Sequence, residues 1–282
     1  MSTKFESILT GLSDGSVVPY LGPGALAGVT NPAGQAIPAD SDSLILAMNN
    51  GQPMAPKLMF EFSRAAMNIE LKRGRAAITK FLDSTYRDTQ WSSSGLHEWL
   101  AQSRLPYIID ANRDTQLQQQ YANTPHTLIV GTARIASKEY RFRLFHYDGA
   151  SYSHIEQEAV DTSLPILFKP LGTPIPESNY IASDADFVDY ITELMGGFAI
   201  PSFLKRMRQN KRYLLLGLRL NRDTDRMVFS DIIFGGDGGW ALIPHPTDKE
   251  KRFLSRFNIE IINADVAEFL VAASERNPAE IA

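Results

Sequence analysis

The sequence predicts an α/β fold in which a mostly parallel sheet is flanked by helices. Runs of consecutive apolar residues at 105–110, 164–168 and 212–216 have the composition of strands that are buried on both faces. Amphipathic helical patterns separate these runs, as they do where helices connect parallel strands. A further apolar run at 17–21 leads directly into a glycine-containing loop, and a loop of this kind is able to cradle an anion.

Composition restricts the class of protein. With 282 residues, of which 44% are hydrophobic, the chain has the size of one large domain, and we expect residues 1–282 to form a single unit. The formal net charge of −4 argues against nucleic acid as a partner. The chain contains no cysteine, which excludes disulfides, a thiolate nucleophile and zinc sites built on cysteine. No apolar stretch is long enough to span a bilayer, so we expect a cytoplasmic protein without a membrane partner.

The N-terminal part of the chain combines one strand with several helices. Apolar residues at helical spacing predict a short helix over 5–12, ahead of the strand. Gly22 and Gly24 follow the strand and permit close approach of the backbone to an anion. Residues 27–104 are then expected to form a helical and loop insertion over the pocket. Its predicted elements are a loop that ends in a helix cap at Asp40 or Ser41, and helices over 55–72, 75–85 and 95–103.

The rest of the chain alternates strands and helices. Asn112 and Asp114 follow the strand at 105–110, at the edge where ligands bind to open parallel sheets. An inserted β-hairpin is predicted over 138–163, with its turn at Asp148 and Gly149. The other predicted elements are strands at 126–135, 164–168, 212–216, 239–243 and 257–262, and helices at 184–195, 201–210, 221–234 and 265–274.

In their order along the chain these segments resemble the sirtuin-like family, in its zinc-free bacterial branch, whose members include NAD-hydrolysing defence proteins. The sequence GPGA at 22–25 corresponds to the family's phosphate loop, and AIP at 36–38 corresponds to its Gly-Ile/Leu-Pro element. The strand ends IIDANRD at 108–114, FKPLG at 168–172 and LLLGLRLNRD at 214–223 correspond to three further motifs of the family. The resemblance covers most of the chain, with degenerate motifs.

The resemblance implies a Rossmann-like fold that holds NAD between the glycine loop and the strand ends, with cleavage of the bond between nicotinamide and ribose. Asn112 would orient a ribose hydroxyl or the attacking water, and Asp114 would lie beside it as the second catalytic residue. The zinc-carrying deacylases of the family are a poor match, because the chain has no cysteine. The cofactor-binding residues that the resemblance implies are Gly22, Gly24, Ala25, Lys169, Gly172, Gly217 and Asp223.

Two residues depart from the family pattern. Leu171 stands where the family has its catalytic histidine, and leucine neither accepts a proton nor hydrogen-bonds to a ribose hydroxyl. Pro23 removes one backbone donor from the glycine loop. We therefore expect a protein that binds NAD or an ADP-ribose-type nucleotide and is at most a weak or conditional NAD+ hydrolase. The alternative is a catalytically silent scaffold or sensor that acts in a homo-oligomer or a larger protein assembly.

Several of these residues also fit simple structural roles. Asn112 and Asp114 fit an Asx turn and a helix N-cap equally well. Lys169 fits a strand-end lysine that lies along apolar surface as well as a phosphate ligand. The polar cluster at 221–225 fits the cap of a helix and lacks the spacing of a calcium loop, so no metal site is predicted there.

Overall fold

A computed structural model describes residues 5–135 and 139–275. Both ends of the expected single domain and the first residue of the predicted hairpin lie outside these described residues. The strands are β1 (Val17–Leu21), β2 (Tyr107–Asp110), β3 (His126–Gly131), β4 (Phe142–Tyr147), β5 (Tyr152–His154), β6 (Ile166–Lys169), β7 (Gly172–Thr173), β8 (Asn179–Tyr180), β9 (Arg212–Leu216), β10 (Gly239–Leu242) and β11 (Ile259–Ile262). The helices are α1 (Glu6–Ser13), α2 (Ser41–Met48), α3 (Phe62–Arg73), α4 (Arg75–Tyr86), α5 (Gly95–Gln102), α6 (Gln116–Gln120), α7 (Asp184–Met195), α8 (Ser202–Met207), α9 (Asp223–Ile232), α10 (Asp248–Ser255) and α11 (Val266–Ser274). None of the helices in the described ranges combines the length and the hydrophobicity that crossing a bilayer requires.

The described strands form a nine-stranded sheet in the order β11-β10-β9-β1-β2-β6-β3-β4-β5. Neighbouring strands are parallel from β11 to β3, whereas β4 and β5 are antiparallel and extend the sheet at one edge. A separate antiparallel pair is formed by β7 and β8. The prediction of an α/β, Rossmann-like fold with a mostly parallel sheet and an inserted hairpin is therefore confirmed.

The order of the strands reverses at β1, in the middle of the sheet. This strand pairs with β2 on one side and with β9 on the other. The strands from β2 to β6 lie on the β2 side, whereas the later strands β9, β10 and β11 lie on the opposite side. In an open parallel sheet such a switch leaves a crevice beyond the carboxyl ends of the two central strands.

Both faces of the sheet are buried, which explains the continuous apolar runs in the sequence. In β9, Tyr213 and Leu215 pack on one face with α7, α8 and α9. Leu214 and Leu216 pack on the other face with α1, α5 and α11. Successive side chains of a strand point to opposite faces, so a strand covered on both sides is apolar at every position. Each fully buried leucine contributes about 1.5–3 kcal/mol through the hydrophobic effect.

Helices α2, α3 and α4 form a further apolar cluster, separate from those on the two sheet faces. We call these three helices the helical cap. The cluster includes Leu26 and Val29 from the loop after β1 and Ala182 from the segment before α7. The cap therefore packs on the loops at the carboxyl edge of the sheet. Helix α5, which also falls within the predicted insertion at 27–104, packs on the sheet face instead, through Trp99 and Leu100.

The helix predicted over 55–72 begins only at Phe62, so the prediction was wrong at this end. Glu61 is extended, with φ −157° and ψ 139°. Its carboxylate accepts a hydrogen bond from the Thr224 hydroxyl on α9. The Phe62 N–H donates to the hydroxyl oxygen of Ser41 at 2.7 Å. These contacts between distant segments outweigh the local helical pattern, which is a weak preference by comparison.

The turn of the hairpin lies where the sequence predicts it. The Asp148 carboxylate accepts hydrogen bonds from the backbone N–H groups of Ala150 and Ser151, each at 2.8 Å. Gly149 has a φ of +101°, which favours glycine at this position. The two strands pair in the register Phe145 opposite His154. The local turn chemistry is therefore sufficient to place this hairpin.

His126 joins the hairpin to the core of the sheet. Its Nδ1 lies 2.7 Å from the Thr124 carbonyl oxygen, and its Nε2 lies 2.8 Å from the Tyr152 hydroxyl on β5. A carbonyl oxygen only accepts hydrogen bonds, so Nδ1 carries the proton and Nε2 accepts from the tyrosine. Burial of the ring lowers the pKa of His126 to about 4. The neutral form of this histidine is therefore part of the folded state.

Acidification should destabilise the protein through His126. The folded-state pKa of about 4 lies below the ordinary value of 6.5, so the unfolded chain binds the proton first as the pH falls. The stability present above pH 6.5 is lost towards pH 4, and we expect a loss of about 2 kcal/mol between pH 7 and pH 5 from this residue. Urea unfolding across this range measures it. His126→Gln should remove this part of the pH dependence of the free energy of unfolding. His154→Gln, at an exposed position of the same hairpin, should keep it. If the free energy of unfolding changes equally with pH in the two variants, the assignment to His126 is contradicted.

Candidate functional site

A cleft of about 700 Å³ opens beyond the carboxyl ends of β1 and β9. Its walls come from the loop after β1, helices α2 and α3 of the helical cap, the segments that follow β2, β6 and β9, the end of β10, and the first turns of α7, α9 and α11. The position is the crevice that the strand order creates at the switch between β1 and β9. The volume falls in the range of roughly 300–1,000 Å³ that is usual for small-molecule sites.

The floor of the cleft is formed by two loops whose backbones touch. The Gly24 N–H donates to the Gly217 carbonyl oxygen at 2.8 Å, and the Gly22 N–H donates to the Leu216 carbonyl oxygen at 3.0 Å. A Cβ on Gly217 would lie 2.4 Å from the backbone nitrogen of Ala25, and the φ of Gly217 is +67°. Backbone packing therefore requires glycine here. The Gly24 N–H is already bonded within the protein and is not directed at a ligand.

Charged side chains of both signs line the cleft, and carboxylates outnumber guanidinium groups among the described lining residues. Carboxylates accept hydrogen bonds from sugar hydroxyls, and guanidinium groups pair with phosphate oxygens. The carboxylates are those of Asp40, Asp42, Glu61, Asp225 and Asp265, and the guanidinium groups are those of Arg113, Arg219 and Arg222. The wall is thus suited to a ligand that carries hydroxyl groups together with a limited negative charge.

Arg113 reaches the cleft from the loop after β2. Its Nε and Nη2 donate to the Ile181 carbonyl oxygen at 3.0 and 2.5 Å, and its guanidinium group lies over the Phe62 ring. These contacts fix the plane of the group. Its Nη1 makes no hydrogen bond to any residue that the structure describes, which leaves one oriented donor at the cleft wall.

Asp225 reaches the cleft from the first turn of α9. Its half-buried carboxylate accepts no hydrogen bond from any described residue. Burial is the main reason that the pKa of Asp225 is raised to about 7; the nearby carboxylate of Glu61 also raises it, and the neighbouring guanidinium groups act in the opposite direction. A carboxyl group with this pKa is able to take up or release a proton near neutral pH.

The position where the resemblance implies a histidine is hydrocarbon. Leu171 lines the cleft and is 8% exposed, with most of its side chain packed in the core above one sheet face. Phe62 and Phe187 contribute further apolar surface to the same cleft. None of the described lining residues is a histidine.

Asn112 belongs to a buried network under the cleft rather than to its lining. Its Nδ2 donates to the Gly22 carbonyl oxygen and to Asp110 Oδ1, each at 2.9 Å. The second oxygen of Asp110 accepts from Lys169 Nζ at 2.6 Å. We call this network, made by Asp110, Asn112, Lys169 and the Gly22 carbonyl, the strand-end brace. Both Asn112 and Lys169 therefore bond to protein groups, and neither lines the cleft.

Asp114 lies beside the brace, with its side chain turned towards the protein interior. Its Oδ1 accepts from the Gln116 N–H at 2.7 Å, as in the Asx-turn interpretation of the sequence. Its Oδ2 is 3.8 Å from Lys169 Nζ and accepts no hydrogen bond from the described residues. His97 faces the same group, with Nε2 3.9 Å from Asp110 Oδ2, and burial lowers the pKa of His97.

The ligand atoms of His97, Asp110 and Asp114 lie within 4.8 Å of one another, a spacing compatible with a metal ion. The ammonium group of Lys169 already lies against Asp110. It supplies the positive charge that a metal ion would supply there, so the group has the character of a buried ion pair. We assign no metal to it.

Of the other residues that the resemblance implies, Ala25 lies beside the floor of the cleft, whereas Gly172 and Asp223 do not line the cleft. Ala25 is buried beside Gly22 and Gly24, and its carbonyl oxygen accepts from the Ser94 hydroxyl at 3.1 Å. Gly172 belongs to β7, where a Cβ would lie 2.0 Å from the Asn179 carbonyl oxygen. Asp223 points to solvent with 76% of its side chain exposed, and it pairs with Arg226 and Lys249.

Sequence reasoning missed Glu61, Arg113 and Asp225 as cleft residues. One signal for Asp225 was present: it stands three, four and seven residues before Val228, Phe229 and Ile232, so it heads the buried face of α9. A charged residue in such a stripe is directed inward. Arg113 and Glu61 carried no comparable signal, because their positions depend on contacts with segments far away in the sequence.

No protein-family model matches the sequence, and no curated protein matches it significantly.

Two glycine variants separate backbone contact from backbone conformation. Gly217 and Gly28 both line the cleft and both have positive φ, but no described heavy atom lies within 4 Å of a Cβ built on Gly28. Gly28→Ala should cost about 1 kcal/mol through the strained φ alone. Gly217→Ala should cost about 3 kcal/mol, because the Cβ also collides with the loop after β1. Chemical denaturation measures both, and equal losses would show that the loop contact is unimportant.

Removal of the buried ammonium group should strongly destabilise the fold. Lys169→Met leaves the carboxylate of Asp110 unpaired in the interior, and we expect a loss of about 3–5 kcal/mol in the free energy of unfolding. The double variant Lys169→Met/Asp110→Asn, which also removes the negative charge, should recover part of this loss. Denaturant unfolding of the single and double variants tests the pair. A single variant that loses less than about 1 kcal/mol would contradict a stabilising brace.

Proposed function

We propose that this protein binds a dinucleotide or ADP-ribose-type ligand in the cleft between β1 and β9, and that it is a sirtuin-like protein with at most slow NAD+ hydrolysis. The observation that carries the proposal is the position of the cleft, at the carboxyl edge of a parallel sheet and at its topological switch. Phosphate-containing ligands and dinucleotides bind at this position in open α/β sheets.

The chemistry of the wall supports a ligand with two kinds of polar group. Arg113 and Arg222 offer guanidinium groups from different elements, and Arg222 is oriented by its contact with the Phe60 ring. These groups suit a pyrophosphate. The more numerous carboxylates suit ribose hydroxyls.

The same wall argues against rapid turnover. Leu171 occupies the position for which the resemblance implies a proton acceptor, and loss of a general base lowers rates by about 10²- to 10⁴-fold. Asn112 donates its amide hydrogens within the strand-end brace and does not line the cleft. These two observations favour the alternative of a catalytically silent sirtuin-fold scaffold or sensor that acts in a protein assembly. Nicotinamide release from NAD+ separates the alternatives, because a silent protein binds without turnover.

Binding should depend on the arginine at the end of the β9 loop. Isothermal titration of the purified protein with ADP-ribose, NAD+ and nicotinamide measures the affinity of each ligand. Arg222→Glu should weaken ADP-ribose binding about 10- to 100-fold, because it replaces a charge-assisted contact by repulsion. Arg206→Glu makes the same charge change at an exposed position of α8 outside the cleft, and should leave the affinity unchanged. Failure of all three ligands to bind at millimolar concentration would reject the proposed function.

A further inference from the structure

We propose that Asp225 is the catalytic proton acceptor of this cleft and takes the place of the histidine that Leu171 replaces. The inference deepens the proposed function and depends on it. It assigns to a side chain on α9 the proton transfer that the residues at the end of β6 do not provide.

The other carboxylates in the cleft are bonded within the protein or exposed to solvent. Asp40 and Asp265 accept hydrogen bonds from backbone N–H groups as the N-caps of α2 and α11. Glu61 accepts from the Thr224 hydroxyl, and Asp42 is exposed to solvent. Asp225 is the half-buried lining carboxylate that has no hydrogen bond to any described residue. Its oxygens are therefore available to a ligand or to a water molecule.

The position of Asp225 in the cleft suits this role. It lines the same cavity as Leu171 and the glycine floor, so a bound ribose lies within one space with both the hydrocarbon wall and the carboxylate. The first turn of α9 holds Asp225 on the buried face of the helix, in line with Val228 and Phe229. The helix therefore gives the carboxylate a defined position at the cleft, as a proton acceptor requires.

The electrostatic environment of Asp225 raises its pKa to about 7. Burial is the largest cause, and the negative charge of Glu61 acts in the same direction, while the nearby guanidinium groups oppose it. A general base is most effective when its pKa lies near the working pH. The charged and titratable groups that face Asp225 are Tyr20 on β1, Glu61 before α3, Arg113 after β2, and Arg222 and Arg226 at the start of α9.

The step that Asp225 would assist is the hydrolysis of the bond between nicotinamide and ribose. The oxygen of a water molecule forms a bond to C1′ of the ribose while the bond from C1′ to the pyridinium nitrogen breaks. The electron pair of the broken bond stays on nitrogen, so nicotinamide leaves as a neutral molecule. One proton of the water passes to the Asp225 carboxylate and then to solvent. The products are ADP-ribose, nicotinamide and one proton.

The test compares Asp225→Asn with Asp231→Asn in the full chain. Asp231 lies on the same helix outside the cleft, and burial raises its pKa in the same direction, so it is a matched control. Nicotinamide release from NAD+ is measured by chromatography between pH 5.5 and pH 9, and ADP-ribose binding is measured by calorimetry. Asp225→Asn should lower the release rate about 10²- to 10⁴-fold, a much larger effect than its effect on ADP-ribose affinity. Asp231→Asn should change neither.

A second variant, Glu61→Gln, keeps the Asp225 carboxylate and is compared with the wild-type protein by the pH dependence of its rate. The wild-type rate should fall as the pH drops below about 7, because the acceptor must be deprotonated. Glu61→Gln removes a negative charge that raises the pKa of Asp225, so it should move the midpoint of the profile to lower pH. An unchanged midpoint in this variant would overturn the assignment.

The outcomes separate the inference from the proposed function. ADP-ribose binding without nicotinamide release by the wild-type protein overturns the role of Asp225 and leaves the binding proposal in place. An unchanged rate of nicotinamide release in Asp225→Asn also overturns the role of Asp225 and leaves the binding proposal in place. Failure of ADP-ribose, NAD+ and nicotinamide all to bind overturns the proposed function and, with it, the inference.

Discussion

The buried ion pair between Lys169 and Asp110 is the interaction on which the architecture of the cleft depends. Lys169 ends β6 and Asp110 ends β2, and the Asn112 amide extends the connection from Asp110 to the Gly22 carbonyl after β1. The ends of these strands, which are neighbours in the sheet, are thus tied together by side chains with almost no exposure to solvent. Removing one partner of such a pair leaves a buried charge without water or counter-charge, which is strongly destabilising.

The brace has a consequence for the chemistry of the cleft. The polar residues at the ends of β2 and β6, which the resemblance implies as site residues, are used to hold the framework. The groups available to a ligand are different residues: Arg113 from the loop after β2, Glu61 from the entry to α3, and Asp225 from α9. The two sets of residues differ because of burial: a polar side chain whose hydrogen bonds are made inside the protein is no longer a donor or acceptor for a ligand. The proposed binding and the proposed proton transfer both depend on the second set.

Much of the fold could be predicted because its signals are local. The apolar run at 212–216 became a strand buried on both faces, and Asp40 caps α2 by accepting from the Ser43 N–H. Hydrophobic period and capping chemistry depend on residues that are near one another in the chain. The start of α3 could not be predicted in this way. Glu61 leaves the helix because its carboxylate meets Thr224, which is 163 residues further along the chain.

For this protein, the sequence by itself determined the α/β class, the position of the hairpin and the glycines that let the loops after β1 and β9 touch. Those features follow from steric limits and side-chain periodicity, which act over a few residues. Only the tertiary structure decided the direction of each polar side chain at the strand ends. Asn112 turns into the brace while its neighbour Arg113 turns into the cleft. The direction of each side chain depends on which carbonyl oxygens and carboxylates from distant parts of the chain lie within hydrogen-bond distance of it. The sequence alone does not show which of these groups come close together.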